Sequence, residues 1–311
     1  MRATKGNPMR NQILGLLFTL FAAPVFAQLA TVEIAPDIYA LVGPKTQRGP
    51  GNLGNNATFG FVVTPDGVVL IDAGGSLRGA EKIDVAIAAV TDQPVRIVIN
   101  TGGQDHRWFG NAYWAAKGAR TIASGAAIDD QNARGSLQMT VLTQLVGAAG
   151  MAGTVPQAAQ EGFATDMALT FGGVEFALHF VDAAHTPGDA FVWLPASRTV
   201  FAGDIIFAER ILGLTADSSS RGWLDSFAAI EALDPEHVVP GHGSPTDILT
   251  AAADTYDYIA QLRRQITAHI EAGGNIISAV DVDQSAFAYL ENFDQLAKRN
   301  AQRVFEEIEF E

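Results

Sequence analysis

Residues 99–111 read INTGGQDHRWFGN, and the interpretation of the whole chain depends on this stretch. An apolar run at residues 95–99 leads into it and is typical of a buried strand. Two glycines then loosen the backbone, and four polar residues follow without a break: Gln104, Asp105, His106 and Arg107. Polar side chains collected at the end of a buried strand are typical of a functional site.

Three further loops follow apolar runs and carry groups that could act as ligands or catalysts. They are DAAHTPGDA with His185 and Asp189, FAGDIIF with Asp204, and VVPGHGSP with His242. Imidazole and carboxylate groups suit zinc, iron or manganese. Any one of these residues alone would be interpreted as structural, so the prediction of a site depends on His185, Asp204 and His242 occurring in this order.

Composition limits the kind of protein and its partners. The chain has 311 residues, 48% of them hydrophobic, and no cysteine, which excludes disulfides, a thiol nucleophile and a cysteine metal ligand. Its net charge is −14; residues 1–27 hold three basic residues and no acidic ones, so the rest has 17 basic and 34 acidic residues, a net of −17. Such a surface repels phosphate backbones, so we expect no nucleic-acid partner.

The first 27 residues have the pattern of a secretory signal peptide. Arg2, Lys5 and Arg10 form a basic start, and residues 13–23 are apolar. Val25, Phe26 and Ala27 then supply the small residues that cleavage before Gln28 needs. The apolar run is too short to span a membrane comfortably. We therefore expect a periplasmic or secreted protein that does not associate with a membrane after the signal is removed.

Hairpin patterns followed by alternating helix and strand occur twice along the chain. The predicted strands are residues 38–42, 57–64, 68–72, 95–99, 120–123, 168–171, 174–181, 190–194, 199–202 and 237–239. The predicted helices are residues 81–90, 108–117, about 126–149, 223–233 and most of the chain after about 247, with a loop at 150–165. Two β-rich halves with helices predict two sheets packed face to face and covered by helices.

The order of five motifs resembles the metallo-β-lactamase superfamily. These are LIDAGG at 70–75, INTGGQDHRWFGN, AAHTPGD at 183–189, VFAGD at 200–204 and VVPGHG at 238–243. The resemblance covers about residues 34–243, and it implies an α/β fold, the αββα four-layer sandwich. The last 13 residues, RNAQRVFEEIEFE, resemble the tails of periplasmic metallohydrolases associated with sulfur oxidation and quinoproteins. We expect one such domain at 28–311, with a helical extension from about 247.

The first loop departs from the family pattern. The family reads His-x-His-x-Asp-His there, and this chain has Gly102, Gln104, His106 and Arg107 at the four places. The family's later ligands are kept as His185, Asp204 and His242. Glycine offers no side chain and arginine has no lone pair to give a metal, so a complete two-metal site is not expected.

Two arrangements of the altered site follow. In the first, at most one ion, zinc before iron, is held by His106, His185, Asp204 and His242 or by three of them. His106 and Asp204 would then be catalytic, and Asp72 would orient a ligand. In the second, Arg107 pairs with Asp204 or Asp72 and leaves no room for a dication, because like charges a few Å apart repel. The site then has no cofactor.

The resemblance implies a hydrolase of a small ester, thioester, lactone or lactam. The alternative is a metal-free, non-catalytic protein that binds a small ligand, with Gln104, Arg107 and Trp108 suited to an anionic or aromatic molecule. Two histidines and a carboxylate would also suit a non-haem iron oxygenase, the third choice. The residues expected to support the site or contact substrate are Asp72, Gln104, Arg107 and Asp189. Nothing in the sequence indicates the natural substrate or an oligomeric state.

Overall fold

The computed structural model describes residues 1–3 and 29–311. The predicted signal peptide therefore lies almost entirely outside the described residues. The strands are β1 Ala30–Ala35, β2 Ile38–Val42, β3 Thr58–Thr64, β4 Gly67–Ile71, β5 Val95–Ile99, β6 Arg120–Ser124, β7 Glu161–Phe163, β8 Asp166–Phe171, β9 Val174–Phe180, β10 Ala190–Leu194, β11 Thr199–Phe201 and β12 His237–Val239. The helices are α1 Leu77–Ala88, α2 Asp105–Trp108, α3 Asn111–Ala116, α4 Gly125–Val146, α5 Ala148–Met151, α6 Ser220–Glu231, α7 Ile248–Ala251, α8 Asp257–Glu271 and α9 Phe293–Glu309.

The strands form two sheets. The first has seven strands in the order β1-β2-β3-β4-β5-β6-β7, and the second has five in the order β12-β11-β10-β9-β8. Pairing is antiparallel from β1 to β4 and parallel from β4 to β7. In the second sheet only β11 and β12 pair in parallel. Each sheet thus combines hairpins, which the sequence predicted for both halves of the chain, with a parallel part.

Side chains that alternate between the two faces of each strand explain how the sheets and helices pack in layers. In β4, Val69 and Ile71 pack between the sheets, whereas Val68 and Leu70 face α1 and α3. Successive side chains of a strand point to opposite faces, so a strand buried on both sides is apolar throughout. The outer face of the second sheet packs against α6, α8 and α9 in a separate apolar cluster. The result is the predicted αββα four-layer sandwich.

The parallel strands bring the polar loops to one edge of the sandwich. Asp72 follows β4 directly, and residues 100–107 follow β5. On the other sheet, Asp204 follows β11 and His242 follows β12. Because parallel strands end at the same edge of a sheet, loops distant in sequence meet there.

Several predicted elements differ from the structure at the edges. β1 and β7 were not predicted, and β7 lies inside the stretch expected to be a loop. The helix predicted at 108–117 is two short helices, α2 and α3, and α2 begins earlier, at Asp105. The helical prediction after about residue 247 is confirmed. Among the described residues no helix is both long and apolar enough to cross a membrane.

Candidate functional site

Asp72 is held in a fixed position at the end of β4. Its φ angle is 70°, in the left-handed region that residues other than glycine rarely adopt. Thr101 holds the carboxylate in place, because its backbone N–H and its hydroxyl donate to Asp72 Oδ1 over 2.8 and 3.0 Å. A strained backbone kept in place by neighbouring bonds is common at functional sites. Here it points a carboxylate at Arg107.

Arg107 is completely buried, and all five of its N–H groups are used. Nη1 donates to Asp72 Oδ2 over 2.8 Å and to the Thr58 carbonyl over 3.1 Å. Nη2 donates to Asp204 Oδ1 over 2.7 Å and to the Gly241 carbonyl over 2.9 Å, and Nε donates to Asp204 Oδ2 over 3.2 Å. The guanidinium therefore bridges the two carboxylates, although the sequence predicted only one or the other. Burial alone would lower the pKa of Arg107, but Asp204 and Asp72 outweigh it and raise the pKa above its ordinary value.

The carboxylate of Asp204 contacts the ring nitrogens of two histidines as well as the guanidinium of Arg107. His106 Nε2 lies 3.1 Å from Asp204 Oδ2, and His242 Nε2 lies 3.2 Å from Asp204 Oδ1. Burial opposes ionisation, but Arg107 and then His106 outweigh it and hold the pKa of Asp204 well below its ordinary value. Asp204 is therefore an anion, and its two oxygens already face four nitrogen atoms, two of Arg107 and one each of His106 and His242.

The tautomer of His106 is set by an arginine that sequence reasoning missed. Arg48 donates from Nη2 to His106 Nδ1 over 2.7 Å and from Nε to Asp105 Oδ1 over 2.8 Å. Nδ1 also lies 3.1 Å from Asp105 Oδ1, but arginine can only donate, so its shorter contact requires a lone pair on Nδ1. The ring proton then lies on Nε2 and is donated to Asp204. Burial would raise the pKa of Asp105, but Arg48 and His106 lower it.

Gly102 leaves no room for a side chain. A β-carbon at this residue would lie 2.2 Å from Asp189 Oδ1, far inside contact distance. Asp189 is fixed there by the backbone N–H of Thr186, which donates to Oδ2 over 2.6 Å, and by the Thr186 hydroxyl. Burial, with a contribution from the charge of Asp204, raises the pKa of Asp189 to about 8. A carboxyl group thus occupies the space where the family pattern has a histidine.

His185 lies at the same edge but apart from the other candidate ligands. Its ring packs against Phe207 and Trp223, and its Nδ1 is buried without a hydrogen-bond partner. Burial lowers the pKa of His185 to about 4, so the ring is neutral near pH 7. The ligand atoms of His106, Asp204 and His242 lie within 4.8 Å of one another, and His185 is not in this group.

These residues do not fit a two-metal centre. Gly102 is closed by Asp189, Gln104 offers a neutral amide, and the guanidinium of Arg107 already holds both oxygens of Asp204. His106, Asp204 and His242 could hold one ion. To do so, Asp204 would have to give up bonds to Arg107, and His106 would have to lose its Nε2 proton.

A cavity of about 520 Å³ lies over the cluster. Its polar lining includes Gln104, His106, His185 and His242, together with three arginines, Arg48, Arg210 and Arg299. All its lining residues belong to the described part of the chain, and none of them is Asp or Glu. An acidic protein therefore has a pocket whose only formal charges are positive.

Two residues expected to meet a ligand do not reach the pocket. Arg107 has no free N–H, and Trp108 is buried, with its indole N–H donating to the Gly103 carbonyl over 3.0 Å. The sequence suggested both as ligand contacts, and their burial below the loop corrects that expectation. Gln104 does line the pocket. Arg210, missed in the sequence, had one local signal: a charged pair, Glu209 and Arg210, inside an otherwise apolar stretch.

Comparison with known proteins agrees with this architecture. A metallo-beta-lactamase type 2 from Elizabethkingia meningoseptica is 24% identical over 209 residues, which are 66% of this chain and 76% of that protein. The structure of a metallo-beta-lactamase from Pontibacter korlensis superposes with a TM-score of 0.56 and 23% identity, over 72% of this chain and 96% of that one. The inverting sec-alkylsulfatase Pisa1 from Pseudomonas sp. superposes with a TM-score of 0.66 and 15% identity, over 89% of this chain and 50% of that one.

These structural neighbours are similar in fold. The family assignment comes from the sequence, because the model of the metallo-beta-lactamase superfamily matches residues 54–242, more than half of the chain. That range includes the loop after β5 and the residues His185, Asp204 and His242 of the three later motifs. The chain belongs to the metallo-β-lactamase superfamily.

Proposed function

We propose that this protein binds a small organic ligand in the pocket above Arg107 and does not use the paired-metal chemistry that its family pattern implies. The observation that carries the proposal is the guanidinium of Arg107, which makes three hydrogen bonds to Asp72 and Asp204, at 2.8, 2.7 and 3.2 Å. Its two remaining N–H groups donate to backbone carbonyls. A fixed cation in that position supplies the positive charge that the two buried carboxylates need.

The pocket suits a small molecule. Its volume of about 520 Å³ falls within the range of about 300–1,000 Å³ that ligand pockets usually have. Phe207 and Leu296 give it apolar walls, and Gln104 and His185 give it hydrogen-bonding groups. Polar groups held in fixed positions beside apolar walls orient a ligand in a specific site.

The same residues argue against fast hydrolysis. A metal ion makes hydroxide available near neutral pH by lowering the pKa of its bound water. With Arg107 in place, that role would fall to His106 or His185 as a general base. His106 already donates its Nε2 proton to Asp204 and accepts from Arg48 through Nδ1. This leaves His185, whose low pKa makes it a weak base.

A single-ion hydrolase of a small ester, thioester, lactone or lactam is the second candidate. One observation favours it: His242 Nδ1 lies 2.8 Å from the Asn56 carbonyl, so Nδ1 carries the proton and Nε2 turns a lone pair toward Asp204 Oδ1, 3.2 Å away. Two acceptors that face each other at this distance would be bridged favourably by a cation. Zinc is the first choice for such an ion, and iron the second.

Metal content separates the two candidates. The mature chain, from Gln28 onward, is purified without chelators and analysed by mass spectrometry before and after incubation with zinc and removal of excess metal. We expect much less than one equivalent in both samples. One equivalent that is lost in His242→Ala, but kept in the control His179→Ala at an exposed ion pair, would contradict the proposal and support the hydrolase.

Export to the periplasm is part of the same proposal and is supported by Arg2, Lys5, Arg10 and the apolar run that follows. Cell fractionation with N-terminal sequencing tests it. Export predicts a mature protein that begins at Gln28 in the periplasmic or secreted fraction. A protein that keeps Met1 and stays in the cytoplasm would contradict it.

A further inference from the structure

The pocket contains a buried cation without an anionic partner. Arg210 is 4% exposed, and its Nε has no hydrogen-bond partner. Its Nη1 lies 3.4 Å from His242 Nδ1, which already donates its proton to the Asn56 carbonyl and therefore cannot accept. Its guanidinium carbon lies 6.0 Å from the ring centroid of Phe207. No carboxylate of the described residues forms a salt bridge with it, whereas the buried Arg107 has two.

An unpaired buried charge is costly, so its presence needs a reason. Burial, and then the neighbouring charge of Arg48, lower the pKa of Arg210 to about 10, although the charges of Asp204 and Glu291 act in the opposite direction without forming a salt bridge. The side chain is therefore still charged at neutral pH. Arg210 is one of the residues that line the pocket. A ligand oxyanion that accepts from its guanidinium would satisfy the charge.

Part of the pocket wall is apolar and continues onto the surface. Val141 and Leu145 of α4 line the pocket and are 44% and 46% exposed. Leu137, one turn earlier on the same helix, is 64% exposed. Residues four apart share one face of a helix, so these three form a continuous apolar stripe that begins inside the pocket. Exposed apolar stripes of this kind often mark binding sites.

We propose that the ligand of this pocket is an amphiphilic anion whose oxyanion head binds Arg210 and whose apolar tail lies along Val141 and Leu145. This proposal rests on the ligand-binding function proposed above and adds the class of ligand. Carboxylate, sulfate ester and phosphate monoester heads share the required chemistry, since each offers oxygens to the planar guanidinium. The positive pocket in a chain of net charge −14 favours an anion over a neutral or cationic molecule.

Calorimetric titration tests the head group. The probes are decanoate, decyl sulfate and decyl phosphate below their micellar concentrations, with decanol as the uncharged control, all in the presence of a chelator. We expect at least one of the three anions to bind at least about tenfold more tightly than decanol. We also expect Arg210→Met to remove this preference, Arg210→Lys to keep part of it, and the control Arg264→Gln, an exposed arginine of α8, to keep all of it. Equal binding of decanol, or full anion binding by Arg210→Met, would overturn the proposal.

Chain length tests the tail. Each methylene buried along the stripe strengthens binding about threefold to fourfold, so decanoate should bind about tenfold more tightly than octanoate. Leu145→Ser should weaken decanoate binding, whereas Leu249→Ser, at an exposed leucine of α7 outside the pocket, should not. If acetate and inorganic sulfate bind as tightly as decanoate, the tail half of the proposal is wrong.

Thermal unfolding tests whether Arg210 has a structural role instead of a role in ligand binding. Without ligand, Arg210→Met should melt at the same temperature as the wild type or higher, because the substitution removes an unpaired buried charge. A lower melting temperature would indicate a structural role for Arg210 and contradict its assignment as a ligand anchor. The two proposals can fail separately. One bound metal ion in the metal analysis would refute the metal-free function. Anion binding that depends on Arg210 in the presence of a chelator would still support this inference.

Discussion

The carboxylate of Asp189 fills the space directly in front of Gly102, where a β-carbon would lie 2.2 Å from Oδ1. Gly102 stands where the family pattern has its first loop histidine. The loss of that ligand and the position of Asp189 are therefore linked, because a side chain at residue 102 and the carboxylate of Asp189 would need the same space. Restoring the histidine alone would not restore a metal site, since the carboxyl group would have to move first.

We predict that Gly102→Ala destabilises the fold by about 1–3 kcal/mol, the usual cost of overpacking a buried site. Urea unfolding measures it. Asp189→Ser shortens the side chain that causes the clash, so the double variant should lose less stability than the sum of the two single variants. Strictly additive effects would mean that the two residues do not compete for the same space. Gly118→Ala is not a suitable control because Gly118 has a positive φ angle; Gly49→Ala, with open space around it, is suitable.

Asp189 should also make stability depend on pH. Burial raises its folded-state pKa to about 8, whereas the unfolded chain titrates near the ordinary value of 3.8. Between these values the folded protein binds more protons, so stability falls as pH rises through this window and levels off above about pH 8. Below about pH 6.5 the lowered pKa of His185 acts in the opposite direction, because the unfolded histidine binds the proton that the folded one does not. Urea midpoints from pH 7 to 9 should therefore fall for the wild type and the control Asp66→Asn, and much less for Asp189→Asn. An equal fall in Asp189→Asn would show that another group is responsible.

The contact of Arg48 with His106 predicts a tautomer. Because Arg48 donates to Nδ1, the proton of His106 should be on Nε2. Long-range proton–nitrogen NMR of the histidine-labelled protein measures this directly. In Arg48→Met, Nδ1 is free to donate to Asp105, so the fraction protonated on Nε2 alone should fall. His179, which pairs with Asp166 elsewhere, should not change. A proton on Nδ1 of His106 in the wild type would be inconsistent with the contact.

The fold was predictable because most strands are buried on both faces. β4 and β10 are apolar throughout, β5 is apolar except for the exposed Arg96, and the predicted positions of all three are confirmed. The missed strands are at an edge: β1 is largely exposed, and β7 has only three residues. An edge strand packs less apolar surface, so its sequence shows weaker alternation. The pattern of burial therefore decided which strands could be recognised.

The site was predictable only in part, because local motifs do not show long-range partners. The loop motifs located Asp72, Arg107, Asp204 and His242, but not the bridging of both carboxylates by one guanidinium. Arg48 lies 57 residues before Asp105 and belongs to no motif. Its role arises from the packing of its loop over α2. The sequence could therefore show that the metal loop was altered, and the three-dimensional contacts were needed to show what replaced it.

Removal of the Arg107 cation is the most direct test of what holds this centre together. Arg107→Met leaves Asp72 and Asp204 buried without their shared partner, so it should cost about 3–5 kcal/mol of unfolding free energy, the usual effect of breaking a buried ion pair. Arg107→Lys should recover little, because an ammonium cannot make five planar hydrogen bonds. Adding Asp204→Asn to Arg107→Met removes one of the two stranded charges and should recover part of the loss. Urea unfolding of the four proteins measures this; a fully stable Arg107→Met would mean that the guanidinium does not neutralise the two carboxylates.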